Sequence, residues 1–120
     1  MARVLIVDDS VTSRRFLRNM IIEAGHEVVA EAVDGEDGIK KYEEFKPDIV
    51  TMDVTMPKKD GIDAVSDIIK IDPKAKIIMV TAAGQQSNIV EALKRGAADF
   101  IQKPFESNTI MMSIKKVMEE

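Results

Sequence analysis

Asp53 closes an apolar run, Ile49-Val50-Thr51-Met52, and is followed by Val54-Thr55-Met56-Pro57. A carboxylate at the end of a buried strand is costly unless something pairs it or uses it. Three further apolar runs break off in the same way. Val4-Leu5-Ile6-Val7 stops at Asp8-Asp9, Ile77-Ile78-Met79-Val80 stops at Thr81, and Phe100-Ile101-Gln102 stops at Lys103-Pro104. Each is a weak signal alone: Asp8-Asp9 reads more readily as a helix cap, Thr81 as a turn residue and Lys103 as a solvated lysine. Four strand ends that carry carboxylates, a hydroxyl and an amine predict one shared crevice. Ligands of open α/β sheets bind there, outside the carboxyl ends of the strands.

The elements that must position these groups alternate along the whole chain. Strands are expected near Ala2–Val7, Val28–Ala32, Ile49–Met52, Lys76–Val80 and Asp99–Ile101. The continuously apolar runs at 4–7 and 77–80 suit parallel strands covered on both faces. Between the strands, Phe16, Leu17, Met20, Ile21 and Ala24 recur at helical spacing, as do Ile89, Ala92, Leu93 and Gly96, and Ile110, Ile114, Val117 and Met118. Gly25 and Gly96 stand where helices would end, Asp60-Gly61 reads as a turn into a third helix, and Pro47 and Pro73 fall in connections. Regular βα alternation in so short a chain predicts a doubly wound α/β sheet with helices on both sides.

The 120 residues are expected to form one domain, 1–120, without repeat or linker. With 45% hydrophobic and 32% charged residues the chain should fold as a globular protein rather than stay disordered. Its formal charge of -4, with both signs mixed, argues against nucleic-acid binding through a basic surface. Cysteine does not occur, which excludes disulfides, thiol nucleophiles and zinc–thiolate sites. No apolar stretch approaches a membrane span, and Met1-Ala2-Arg3 leads into a strand without a signal-peptide layout, so a cytoplasmic protein is expected.

The set Val7-Asp8-Asp9, Asp53 with Met56-Pro57 and Asp60-Gly61, Thr81-Ala82, and Lys103-Pro104-Phe105 resembles the receiver domain of two-component response regulators. The resemblance covers essentially the whole chain. Thr51 to Pro57 and Gly84-Gln85-Gln86-Ser87 are most similar to receivers of chemotaxis. It implies a flavodoxin-like five-stranded sheet of order 2-1-3-4-5 with five helices. Asp53 would accept a phosphoryl group from a histidine kinase, as an aspartyl-phosphate nucleophile. Asp9, Asp53 and the backbone carbonyl of Thr55 would hold Mg²⁺, with Asp8 acting mostly through a bound water. Crowded carboxylates favour a cation even before phosphorylation, and Mg²⁺ prefers such oxygen ligands.

Lys103 would pair with Asp53 and then with a phosphoryl oxygen, and the Lys103–Pro104 peptide bond would be cis. Thr81 and Phe100 would form the switch, and Thr55 and Ala83 would tune the lifetime of the phosphorylated state. Phe100 is equally well read as ordinary core. The output face would comprise the fourth helix, fifth strand and fifth helix. The flagellar motor switch or another downstream protein would read it, a phosphatase is a possible further partner, and the receiver is expected to be a monomer. A phosphorelay intermediate is the alternative within the family.

Two surface features compete with blander readings. Arg14, Arg15 and Arg18 cluster on the first helix, as a solvated face or as a dock for an acidic kinase surface. Met112 projects opposite the buried stripe of the last helix, as a stray apolar residue or as a partner contact. His26, the only histidine, is expected at the surface, and the eight methionines as packing residues rather than soft-metal ligands. Two rivals lie outside the family. A flavin-binding protein would meet repulsion at Asp8-Asp9-Ser10, and a phosphatase of the haloacid dehalogenase class would need its nucleophile in an Asp-x-Asp pattern on the first strand.

Overall fold

The structure, a computed structural model, describes residues 1–54, 56, 59–82 and 84–119. Strands and helices alternate: β1 (Arg3–Val7), α1 (Val11–Glu23), β2 (Glu27–Ala32), α2 (Gly35–Phe45), β3 (Ile49–Asp53), α3 (Gly61–Ile71), β4 (Ile77–Thr81), α4 (Gln86–Lys94), β5 (Asp99–Gln102) and α5 (Ser107–Met118). The strands pair in parallel as one five-stranded sheet in the order β2-β1-β3-β4-β5. This is the doubly wound order expected from the resemblance. It reverses direction between β1 and β3, where a crevice opens at the carboxyl edge.

Alternation along each strand divides the core into two layers. Leu5, Val7, Val50, Met52, Ile77 and Met79 face one side, where Tyr42 of α2, Val65 and Ile68 of α3 and Ala92 of α4 cover them. Val4, Ile6, Ile49, Ile78, Val80 and Ile101 face the other, under Leu17, Met20 and Ile21 of α1 and Ile110, Ile114 and Val117 of α5. Each fully buried aliphatic side chain contributes about 1.5–3 kcal/mol, so the central strands are held from both faces.

Caps fix where the helices begin and end. Ser10, Asp34 and Asp60 accept hydrogen bonds from the backbone N–H three residues on, at the starts of α1, α2 and α3. Asp8 and Asp9 are therefore not the caps of α1. Gly25 follows α1 at φ +91 and Gly96 follows α4 at φ +119, conformations that suit glycine.

The helical stripes read from the sequence run wider than the buried faces. Phe16 is 54% exposed and meets Phe105 instead, with ring centroids 6.4 Å apart. Leu93 and Met118 are also exposed. His26 is half-buried rather than on the surface, and its Nδ1 accepts a 3.0 Å hydrogen bond from the Ala2 backbone N–H. Among the described residues no helix is long and apolar enough to cross a membrane.

Candidate functional site

Strand register assembles the site. Val7 pairs with Met52, so the next residues, Asp8 and Asp53, emerge side by side at the carboxyl edge. Asp53 pairs with Val80 and Thr81 with Gln102, and the Lys103 backbone N–H donates to the Thr81 carbonyl at 2.7 Å. One carboxylate oxygen from each of Asp8, Asp9 and Asp53 lies within 4.8 Å of the others. Asp8 is 1% exposed, Asp53 half-buried and Asp9 exposed.

The three carboxylates are held differently. Asp8 Oδ1 accepts from the Ser10 backbone N–H at 2.9 Å, while Asp8 Oδ2 has no hydrogen-bond partner. Lys103 Nζ stands 3.6 Å from that second oxygen. Lys103 was expected to pair with Asp53; among the described residues its ion pair is with Asp8. The physical reason is burial: Asp8 is the most deeply buried carboxylate of the three and gains most from a nearby cation. The Asp53 pKa is raised to about 6, by burial first and then by the Asp8 charge, with Lys103 drawing it down. Asp9 adds a weaker upward push, and the Val54 N–H a small downward one. Asp53 thus sits in a site that resists its negative charge.

Glycine lets α3 approach this strand end closely. A Cβ on Gly61 would lie 2.0 Å from the Asp53 carbonyl oxygen, and the Gly61 N–H donates to the Val54 carbonyl at 2.8 Å. Gly35 meets the same connection: its N–H donates to the Lys59 carbonyl at 3.1 Å, and a Cβ there would lie 2.3 Å from that oxygen. The sequence showed Asp60-Gly61 only as a turn. The clash that forbids a larger residue belongs to the packed fold.

Thr81 is fully buried, and its hydroxyl donates to the Ile101 carbonyl at 3.4 Å. Phe100 is 40% exposed on β5, so it is not ordinary core. It borders a surface cleft with Thr109, Met112 and Lys116, and Met112 is 68% exposed. The Lys103–Pro104 peptide is cis. Thr55 and Ala83 lie outside the described residues.

The arginine cluster divides in two. Arg14 donates to the Asp8 carbonyl at 2.7 Å and pairs with Glu31 of β2 at 3.2 Å, and Arg18 pairs with the same glutamate at 2.8 Å. Both help to fasten α1 to the sheet. Arg15 is exposed and makes no ion pair among the described residues.

The donor set suits a hard divalent cation. It offers three clustered carboxylates and no cysteine or histidine, with one buried carboxylate oxygen lacking a hydrogen-bond donor. Oxygen ligands of this kind match Mg²⁺.

Comparison with known proteins agrees with this geometry. The chain matches the family described as response regulator receiver domain over residues 4–115. It is 53% identical over 115 residues to the chemotaxis protein CheY of Thermotoga maritima, covering 96% of each chain. It is 48% identical over 118 residues to protein CcdB of Bacillus subtilis, covering 98% of each. The crystal structure of the CheX-CheY-BeF3-Mg complex from Borrelia burgdorferi matches with a TM-score of 0.92 at 38% identity, over 96% of this chain and 87% of that one. The flavin-binding and dehalogenase-like readings give way to these matches. With its acidic crevice at the carboxyl edge of a 2-1-3-4-5 sheet, the protein belongs to the response regulator receiver domain family.

Proposed function

We propose that this receiver is a phosphorylation-controlled switch of chemotaxis, working as a single domain and a monomer in the cytoplasm, with Asp53 as its phosphoacceptor. Receivers of this family are signalling proteins rather than turnover enzymes and bind Mg²⁺ through acidic residues. The observation that carries the proposal is the cluster of Asp8, Asp9 and Asp53 at the strand ends, with Lys103 beside it. The phosphodonor is a phosphohistidine on a chemotaxis-type histidine kinase. An Asp53 carboxylate oxygen forms the new P–O bond as the P–N bond breaks. The bonding pair leaves with the imidazole, which takes up a proton from water.

Asp9 and Asp53 would hold Mg²⁺, with Asp8 acting mostly through a bound water; the Thr55 carbonyl expected to join them lies outside the described residues. When bound, the ion neutralises charge on the phosphoryl oxygens. Lys103, 3.6 Å from Asp8, supplies a further positive charge at the site. After transfer, the Thr81 hydroxyl leaves the Ile101 carbonyl for a phosphoryl oxygen, and Phe100 turns inward. The α4–β5–α5 face then favours its partner, so phosphorylation biases an existing two-state equilibrium. That partner is the flagellar motor switch, and a phosphatase resets the signal. Similarity to a CheY of 53% identity supports the chemotaxis assignment. A phosphorelay intermediate is the second reading within the receiver family.

Acetyl phosphate or beryllofluoride with Mg²⁺ should modify or occupy Asp53, detected as a phosphoryl mass increment or as chemical-shift change. Asp53→Asn should abolish both. Phosphorylation retained in that variant would show that the nucleophile is another residue. Capture of motor-switch protein by the beryllofluoride-treated protein, but not by the untreated one, separates chemotaxis from the relay reading.

A further inference from the structure

Two buried polar side-chain atoms among the described residues have no hydrogen-bond partner: Asp8 Oδ2 and the hydroxyl oxygen of Thr51. Thr51 is 1% exposed and sits on β3 two residues before Asp53. Both side chains therefore leave the same face of the strand. Ile49 leaves it too and packs in the layer under α1 and α5. Sideways the hydroxyl has Ile6 of β1 and Ile78 of β4, which are fully buried and offer no polar side chain.

Among the described residues of these strands, the nearest polar side chains on this face lie toward the strand ends. Asp53 is the next residue up on this face, and Asp8 stands two residues beyond Ile6, diagonally across from Thr51. With parallel strands about 4.8 Å apart and a rise of about 3.3 Å per residue, that diagonal spans roughly 8 Å between Cα atoms. Leaning toward each other, the two side chains close that diagonal to about twice a hydrogen-bond length, the span of one bridging water. An enclosed water needs two to four polar partners, and Thr51, Asp8 and Asp53 can supply them.

We propose that Thr51 forms the floor of the acidic site, holding an enclosed water that also bonds Asp8 Oδ2 and so fixes the carboxylate facing the cation. Thr51 is then a positioning residue that acts through Asp8. Valine would fill the same space without a hydroxyl to satisfy, so core packing alone gives no reason for threonine here. Outer partners of ligating groups orient them, and their loss lowers metal affinity. The inference rests on the Mg²⁺ reading given above.

The test compares Thr51→Val, which keeps the shape and removes the hydroxyl, with Thr51→Ser, which keeps the hydroxyl. Calorimetric titration of unphosphorylated protein with Mg²⁺ should show T51V binding five- to tenfold more weakly and T51S binding close to wild type. In EDTA, T51V should melt at or above the wild-type temperature. Affinity unchanged in T51V, or lost equally in T51S, overturns the inference while the metal site stands. Failure of the wild type to bind Mg²⁺ overturns the metal reading itself. Should T51V not fold, a high-resolution crystal structure of the wild type with Mg²⁺ decides: no water bonded to both Thr51 and Asp8 refutes the proposal.

Discussion

Asp53→Asn should make the metal-free protein more stable, not less. The raised pKa means that the folded chain resists ionising Asp53, from an ordinary 3.8 to about 6. Between those values the folded state binds the proton more tightly than the unfolded state does. The stability this confers is full below about pH 4 and is lost as pH rises through about 6. A shift of about 2 units corresponds to roughly 3 kcal/mol; discounted for the half-exposed position, about 1–2 kcal/mol remains. Asparagine has nearly the same shape and no charge, so the variant should recover that amount at pH 8. For a chain of this length the unfolding entropy is about 0.25 kcal/mol per kelvin, giving a rise in melting temperature of roughly 4–8 °C. Thermal unfolding followed by circular dichroism in EDTA, from pH 4 to pH 8, measures it. The gap should widen with pH, and at pH 8 Mg²⁺ should narrow it by stabilising the wild type. A variant less stable than wild type at pH 8, or a gap independent of pH, would refute the reasoning.

Four further outcomes follow from the same contacts. Lys103→Met leaves the buried Asp8 carboxylate without its cation, and should destabilise the metal-free protein by about 1–2 kcal/mol in urea unfolding. Tyr42, the single tyrosine, is buried and donates to Asp72 at 2.8 Å, both of which hold its phenol proton on above the usual range. Absorbance should show less tyrosinate at about pH 11 than an ordinary phenol, which is roughly nine-tenths ionised there. Arg15→Glu should slow phosphotransfer from the kinase several-fold at low salt and spare acetyl phosphate; equal loss with both donors would exclude a docking role. Met112→Glu should weaken binding of the activated protein to its output partner about tenfold without changing Asp53 phosphorylation, as read by pull-down and phosphoprotein mass.

The fold was legible because buried parallel strands leave continuous apolar runs, and because those runs end abruptly at Asp8, Asp53, Thr81 and Lys103. The crevice follows from that pattern and the strand order. What spacing does not encode is the choice among near neighbours. Lys103 could reach either carboxylate, and only the relative burial of Asp8 and Asp53 selects Asp8. Arg14 and Arg18 look like their neighbour Arg15 in the sequence, yet Glu31 of β2 claims both, across a pairing of distant residues. Phe16 keeps helical register with Met20 but leans on Phe105, whose position depends on the chain after β5. Thr51 reads as a strand-forming residue. Its unpartnered hydroxyl becomes visible only when its neighbours on both sides prove to be isoleucine.

Gly35 and Gly61 give the crevice a sequence cost of another kind. At Gly25 an added Cβ would meet nothing within 4 Å, so the obstacle there is backbone conformation alone, which asparagine can tolerate. At Gly35 and Gly61 the added atom would strike a carbonyl oxygen of the connection between β3 and α3 or of Asp53 itself. No side chain escapes that collision, because every one begins with the same Cβ. Within this backbone both positions are closed to all other residues. A larger residue therefore requires a backbone shift first, of the β3–α3 connection for Gly35 and of α3 against the end of β3 for Gly61.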